Sequence, residues 1–194
     1  MGRIKSALEI ALERTESVKG DKESIEKFET RQLGKKAANE FLEDDSRSLE
    51  EVIKKTPKEQ RESLRQGIFD VLFAQITLPV TPDDEKRIQN VGRGLQVIIS
   101  DSRFAALYQQ FTQLLSRYLG EAAQYDVAIR QQYEPKLRQK EEELTRRYGR
   151  PIQLDPLQDP EFVAFYNQNM NALKSNYQAA VDQVKEEAQK CFEG

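Results

Sequence analysis

The sequence predicts an all-α protein, in which a helical bundle is followed by a long antiparallel, coiled-coil-like α-hairpin in the C-terminal half. Three observations predict it. Apolar residues recur at three- and four-residue intervals along most of the chain. Proline, glycine and short polar runs interrupt that period at only a few places. Charged residues make up 32% against 38% hydrophobic, a balance that suits helices with narrow apolar stripes better than one thick core.

Ile4, Ala7, Leu8, Ala11, Leu12 and Val18 predict a helix from about Arg3 to Lys19, ended by Gly20-Asp21. A second helix follows from about Lys22 to Leu42. It carries Ile25, Phe28, Leu33, Ala37 and Phe41, and the five-residue step after Phe28 makes its stripe discontinuous. Glu43-Asp44-Asp45-Ser46 is a polar break, and Leu49, Val52 and Ile53 mark a short helix. Thr56-Pro57-Lys58-Glu59 has the order of an N-cap, a first-turn proline and a capping glutamate, and Thr81-Pro82-Asp83-Asp84 repeats the pattern. Between them Leu64, Ile68, Phe69, Val71, Leu72, Phe73 and Ile76 are apolar almost all round, which predicts a central helix. The next helix, with Ile88, Val91, Leu95, Ile98 and Ile99, is expected to pair with it across Leu78-Pro79-Val80.

From about Ser102 a helical pattern persists to Tyr148 and closes at Gly149. Phe104, Phe111, Tyr118 and Tyr125 fall seven apart on one face, and Pro135 is expected to kink or divide this helix. Pro151, Pro156 and Pro160 predict a loop, and Asp159-Pro160 opens the last helix. Its stripe is Phe162, Tyr166, Met170, Leu173, Tyr177, Ala180, Val184 and Cys191. At 1.5 Å per residue the two helices would be roughly 70 and 48 Å long. Folded back at the proline-rich turn, the shorter would end near Tyr118. Phe104 to Leu115 would then need another partner, and the helices of Pro57 to Ser100 supply one. The expected domains are a compact bundle over 1–101 and the hairpin over 102–194, the alternative being one continuous elongated bundle over 1–194.

Composition excludes several chemistries. There is no His, so the commonest general base, the commonest zinc ligand and any Ser-His or Cys-His pairing are missing. A net charge of -3, with cations and anions interleaved, disfavours nucleic acid as the main partner. The single Cys, Cys191, and the lack of an apolar leader-like segment predict a reducing, cytoplasmic location. No apolar run approaches the ~18 residues of a membrane span.

The carboxylate runs Glu43-Asp44-Asp45, Asp83-Asp84-Glu85 and Glu141-Glu142-Glu143 read as caps and solvated faces, because consecutive helical residues diverge. Gly92-Arg93-Gly94 reads as close helix packing or a local kink rather than a phosphate loop. Asp70 and Arg93 read as surface-facing on their own helices, with a buried ion pair or a pair of polar groups lining a pocket as the alternatives. Met1-Gly2-Arg3-Ile4-Lys5-Ser6 fits a loose acylation pattern.

No cofactor or metal is expected, and no spacing singles out a catalytic set. The functional expectation is therefore a non-enzymatic interaction or scaffold protein. Beyond Tyr118 the hairpin stripe faces a single helix, and two helices alone bury little. That part of the arm is expected to meet a protein partner or a second copy through Tyr125, Ile129, Arg130, Tyr133 and Leu137. The alternative is a nucleic-acid-associated protein, with Tyr118, Tyr125 and Tyr133 stacking on bases beside Arg117 and Arg130.

Overall fold

The computed structural model describes the backbone from Ala7 and the side chains from Lys22 to Gly194, Asp45 excepted. The acylation pattern at Met1–Ser6 and the side chains of the first predicted stripe lie outside the described residues. The described residues form six α-helices and no strand: α1 Ala7–Glu43, α2 Leu49–Lys55, α3 Arg61–Ala74, α4 Asp84–Ile98, α5 Ser102–Tyr148 and α6 Pro160–Glu193. No helix among them is long and apolar enough to cross a membrane.

The chain folds into two compact units. The first takes residues up to Gln75 together with Asn90–Asp101, and the second takes Ile76–Gln89 with Ser102–Gly194. Ile76–Gln89 thus groups with the residues of the hairpin. The Tyr108 hydroxyl there donates to the Ile88 carbonyl at 3.0 Å.

In the first unit α1 runs unbroken through Gly20-Asp21, where a helix end was expected. A mid-helix glycine costs about 1 kcal/mol relative to alanine, which a long helix absorbs. The described part of α1 packs through three small residues and one phenylalanine. Thr30, Gly34, Ala38 and Phe41 are buried, whereas Ile25, Phe28 and Leu33 stay exposed. The buried Thr30 hydroxyl donates to the Glu26 carbonyl at 2.8 Å.

Backbone comes against backbone where α1 meets α3. A Cβ on Gly34 would lie 2.2 Å from the Leu64 carbonyl oxygen, and one on Gly67 would lie 2.0 Å from that of Arg31. Leu64, Ile68, Phe69 and Leu72 of α3 fill the core, as its all-round apolarity predicted. Val91, Leu95, Ile98 and Ile99 complete it. Gly94 is a packing residue, since a Cβ there would sit 2.8 Å from the Leu72 side chain and 3.0 Å from Phe41.

Asp70 and Arg93 do not pair. The Asp70 carboxylate takes Arg31 Nε at 2.7 Å, Gln66 Nε2 at 3.2 Å and Lys35 Nζ at 3.7 Å, while exposed Arg93 donates to Asn90. Burial pushes the Asp70 carboxyl up, but the Arg31 and Gln66 hydrogen bonds and the two cationic charges outweigh it and hold it below the ordinary aspartate value.

The two threonine–proline starts differ from expectation in detail. Thr56 closes α2 instead of opening α3: its hydroxyl donates to the Val52 carbonyl at 2.9 Å. A short 3-10 turn, Lys58–Gln60, intervenes before Arg61. Arg61 then satisfies the carbonyls of Thr56 at 2.9 Å and Lys54 at 3.1 Å. At Thr81-Pro82 the expected cap is made from the acid's side. Asp84 accepts the N–H groups of Val80 at 2.8 Å and Thr81 at 2.9 Å, which lowers its pKa.

In the second unit α5 continues past Pro135 undivided. Pro135 and Gln131, whose carbonyl loses its helical partner, are both exposed, so water can take the orphaned acceptor. Tyr118 meets Tyr177 in a tilted ring contact with centroids 5.0 Å apart, and Tyr133 meets Phe162 edge-on at 5.2 Å. These contacts lie fifteen residues apart on each helix, so α5 and α6 run antiparallel in one register. At 1.5 Å per residue that register brings the end of α6 level with the start of α5. The expectation that α6 stops near Tyr118 is therefore corrected. The loop after Gly149 doubles back along α5, so α6 begins beside Lys136 and Lys140 and not at the tip, and Val181, Val184 and Ala188 are buried along its second half.

The glycine contacts give a paired test. Gly67→Ala should destabilise the protein by about 2 kcal/mol, because two backbones must separate to admit a methyl group. Gly120→Ala has nothing within 4 Å of the new Cβ and sits on an exposed helical surface. It should stabilise by about 0.5–1 kcal/mol. Urea unfolding of the two variants beside the parent checks both signs.

Candidate functional site

The turn of the hairpin brings together more polar chemistry than any other part of the second unit, and its construction begins at the end of α5. Gly149, at φ 68°, turns the chain out of the helix after its N–H has met the Thr145 carbonyl at 2.9 Å. The following segment lies against α5 and is held by backbone donors. Ile152 N–H reaches the Thr145 hydroxyl at 3.2 Å, and Leu154 N–H reaches the Glu141 carboxylate at 2.8 Å. Ile152 and Leu154 are half-buried. Asp155 then caps a 3-10 turn, Pro156–Gln158, by accepting Leu157 N–H at 2.9 Å.

Asp159 ends the loop and caps α6, as its position before Pro160 predicted, accepting Glu161 N–H at 3.1 Å. Its carboxylate is buried and does three further things. It accepts the Tyr133 hydroxyl at 2.9 Å and takes Lys140 Nζ at 2.7 and 2.9 Å on its two oxygens. Lys140 also reaches Glu161 at 2.6 Å, and Lys136 reaches the same carboxylate at 3.0 Å. Both ammonium groups lie over the Tyr133 ring, at 5.5 Å for Lys136 and 5.9 Å for Lys140.

Each charge in this cluster favours the charged state of its neighbour. Lys140, then burial in opposition, then Tyr133 and the Glu161 N–H act on the Asp159 carboxyl, and the net effect lowers it. The two lysines hold Glu161 down as well. Hydrogen bonds to Asp159 and Glu161 raise Lys140, while burial and the Asp159 acceptor raise Tyr133. Lys140 is held protonated and Tyr133 neutral, and the Asp159 and Glu161 carboxylates are already engaged by the two lysines. The cluster is a lock.

The five residues expected to meet a partner divide around it. Ile129 and Tyr133 are buried with Phe162 in the hairpin's own core, and Leu137, Phe165, Tyr166 and Met170 pack against them. Tyr125 is 45% exposed. Each seven-residue step falls about 20° short of two turns, so three steps carry Tyr125 about 60° from the face of Phe104. Exposed Arg130 pairs with Asp126 at 2.9 Å and lies over Phe162 and Tyr166, at 5.8 and 6.0 Å from their centroids. Arg130 and Glu134 rim an open cleft of about 230 Å3 whose walls include Tyr133, Leu137, Pro156 and Phe162. Among the described residues no group of Cys, Asp or Glu is arranged to hold a metal ion.

Sequence reasoning missed Lys136, Lys140 and Glu161. Lys140 and Asp159 are nineteen residues apart across an irregular loop, and no helical period links them.

The lock predicts an acid-sensitive hairpin. Asp159 and Glu161 have folded pKa values below their unfolded ones, so their contribution is present above the ordinary carboxylate range of about 4 and is lost as pH falls through the depressed values. Lys140 is raised, so its contribution is complete below the ordinary lysine range and fades only in strong alkali. Asp159→Asn should flatten the acid limb of the stability–pH profile, read by circular dichroism in urea at each pH. Tyr133→Phe should cost about 1–2 kcal/mol at neutral pH, the value of a hydrogen bond to a charged acceptor.

No curated protein and no solved structure matches the chain. A family model does match, over residues 50–190, from the first turn of α2 almost to the end of α6. The chain belongs to a family of unknown function, DUF6657.

Proposed function

We propose that the chain is a non-enzymatic interaction protein that binds another protein, or a second copy of itself, along the hairpin. The cleft between Tyr133, Leu137, Pro156 and Phe162 carries this reading. It is an apolar opening in a charged surface, with a cation and an anion on its rim in Arg130 and Glu134. Beside it Leu157, which follows Pro156 in the chain, is 61% exposed, and Tyr125 and Val127 add apolar area further along α5. Arg130 and Leu137 then form the receiving face, Tyr125 lies at its margin, and the buried Tyr133 and Ile129 support it from the core. A half-buried Cys191 suits a reducing compartment such as the cytoplasm.

The nucleic-acid reading has less support. Of the three tyrosines that would stack on bases, Tyr118 and Tyr133 are buried, and Tyr133 spends its hydroxyl on Asp159.

The face is tested with exposed positions that carry little of the fold. Leu157→Ser and Arg130→Glu should leave the helical circular dichroism unchanged. Each should weaken self-association, followed by sedimentation velocity over a concentration series, or weaken capture of the cross-linked partner, by at least about tenfold. A strictly monomeric chain whose captured partners are indifferent to both substitutions would remove the reading.

A further inference from the structure

The end of the hairpin differs in charge from everything around it. Between Glu143 and Asp155 there is no acidic residue, while Arg146, Arg147 and Arg150 fall within five positions around Tyr148. Arg146 makes one loose pair with Glu142, at 3.7 Å with both side chains mostly in water. Arg147 lies against the Tyr148 ring, its guanidinium carbon 5.8 Å from the centroid. Among the described residues Arg147 makes no ion pair and Arg150 has neither an ion pair nor a side-chain hydrogen bond. Tyr148 is 59% exposed. Compensation of the helix dipole accounts for cations in the last turn of α5. It does not account for Arg150, which stands beyond the left-handed turn at Gly149, or for an aromatic ring left in water at the same place.

We propose that this tip is a docking surface for a short acidic segment of a partner protein. The inference rests on reading the hairpin as an interaction arm, and it specifies the chemistry received at its end. Guanidinium forks match carboxylates two oxygens at a time, and a ring already carrying one guanidinium offers apolar cover to the segment's backbone. The extent of the patch sets the length of the occupant. Glu141, Glu142 and Glu143 begin about one turn below Arg146, so a continuous polyanion lying along α5 would meet three carboxylates directly after leaving the arginines. A nucleic-acid strand, with its regular phosphates, is disfavoured by that boundary, and a few acidic side chains are not.

The test uses the full chain and a fluorescein-labelled peptide of glutamates spaced by glycines, followed by anisotropy. Binding at low salt should weaken at high salt, and should fall at least about fivefold in the double variant Arg147→Gln/Arg150→Gln. The charge-matched control Lys58→Gln/Lys174→Gln should bind as the parent does. Leu157→Ser should also bind normally, which separates failure at the tip from failure of the cleft. Amide exchange should slow at Arg146–Gln153 when the peptide is added. No binding at low salt, equal loss in the charge-matched control, or tighter capture of a single-stranded oligonucleotide or anionic vesicles by the same arginines would overturn the proposal.

Discussion

Everything distinctive about the second unit follows from one buried carboxylate. Asp159 must supply the N-cap of α6, because its N–H groups have no intrahelical partner, and it must also be neutralised, because it is shielded from water. Lys140 and Tyr133 answer both needs, and both stand on α5 seven residues apart on one face. Joining them to the first residue before α6 fixes where along α5 the return helix begins. The register of Tyr118 on Tyr177 and Tyr133 on Phe162 is the consequence. The loop, anchored at that point, has to fold back along the last turns of α5, and the Thr145 hydroxyl and Glu141 carboxylate are there to receive its N–H groups.

The first unit is held by a different constraint. Gly34 and Gly67 let two helix backbones touch, and the side chains of Leu64, Ile68 and Leu72 then close over a contact too narrow for any side chain at the crossing itself. The polar cost of so close an approach is met at its edge. Asp70, drawn partly out of water on α3, takes Arg31 and Lys35 from α1, so the ion pair clamps the same two helices that the glycines bring together. Loss of either feature would be felt by the other, since a wider crossing would move Arg31 away from Asp70.

How much of this the sequence showed depended on the range of each signal. The all-α class, the extent of α5 and the Asp159-Pro160 start of α6 rest on local periodicity and capping, and all three are present. Reading Gly20-Asp21 as a helix end weighed a local penalty without the length of helix able to absorb it. Thr56 had the right neighbours for an N-cap but was already used by the helix before it. The seven-residue spacing through Tyr125 was real, yet seven residues are not two whole turns, so the last member drifted off the buried face. The sharpest miss was the register. Helix lengths could be counted, but the doubling-back of the loop depends on Lys140 finding Asp159, a contact with no period in the sequence. For the same reason Ile129 and Tyr133, marked as a sticky edge, form the core of the hairpin with Phe162.

Distinguishing structural charge from functional charge here comes down to whether a group's partners are already present. Lys136, Lys140, Asp159 and Glu161 satisfy one another through several contacts each, and inserting a ligand would first have to break bonds that hold the hairpin closed. Their clustering looks chemical, but their energetics are those of a clasp. Arg147 and Arg150 present the reverse case. They lie where the backbone is fixed by Gly149 and by the anchored strap, so their stems are positioned while their guanidinium groups have no carboxylate of their own. A cation in water costs the fold nothing to leave unpaired, and the helix dipole, which accounts for Arg146 and Arg147, gives no reason for Arg150 beyond Gly149 or for an exposed Tyr148 beside it. Binding gives one, because an unpaired donor displaces no internal partner on meeting its acceptor. The clasp therefore acts on the tip indirectly, by tying the returning loop to α5 below it while leaving the last charges of α5 open.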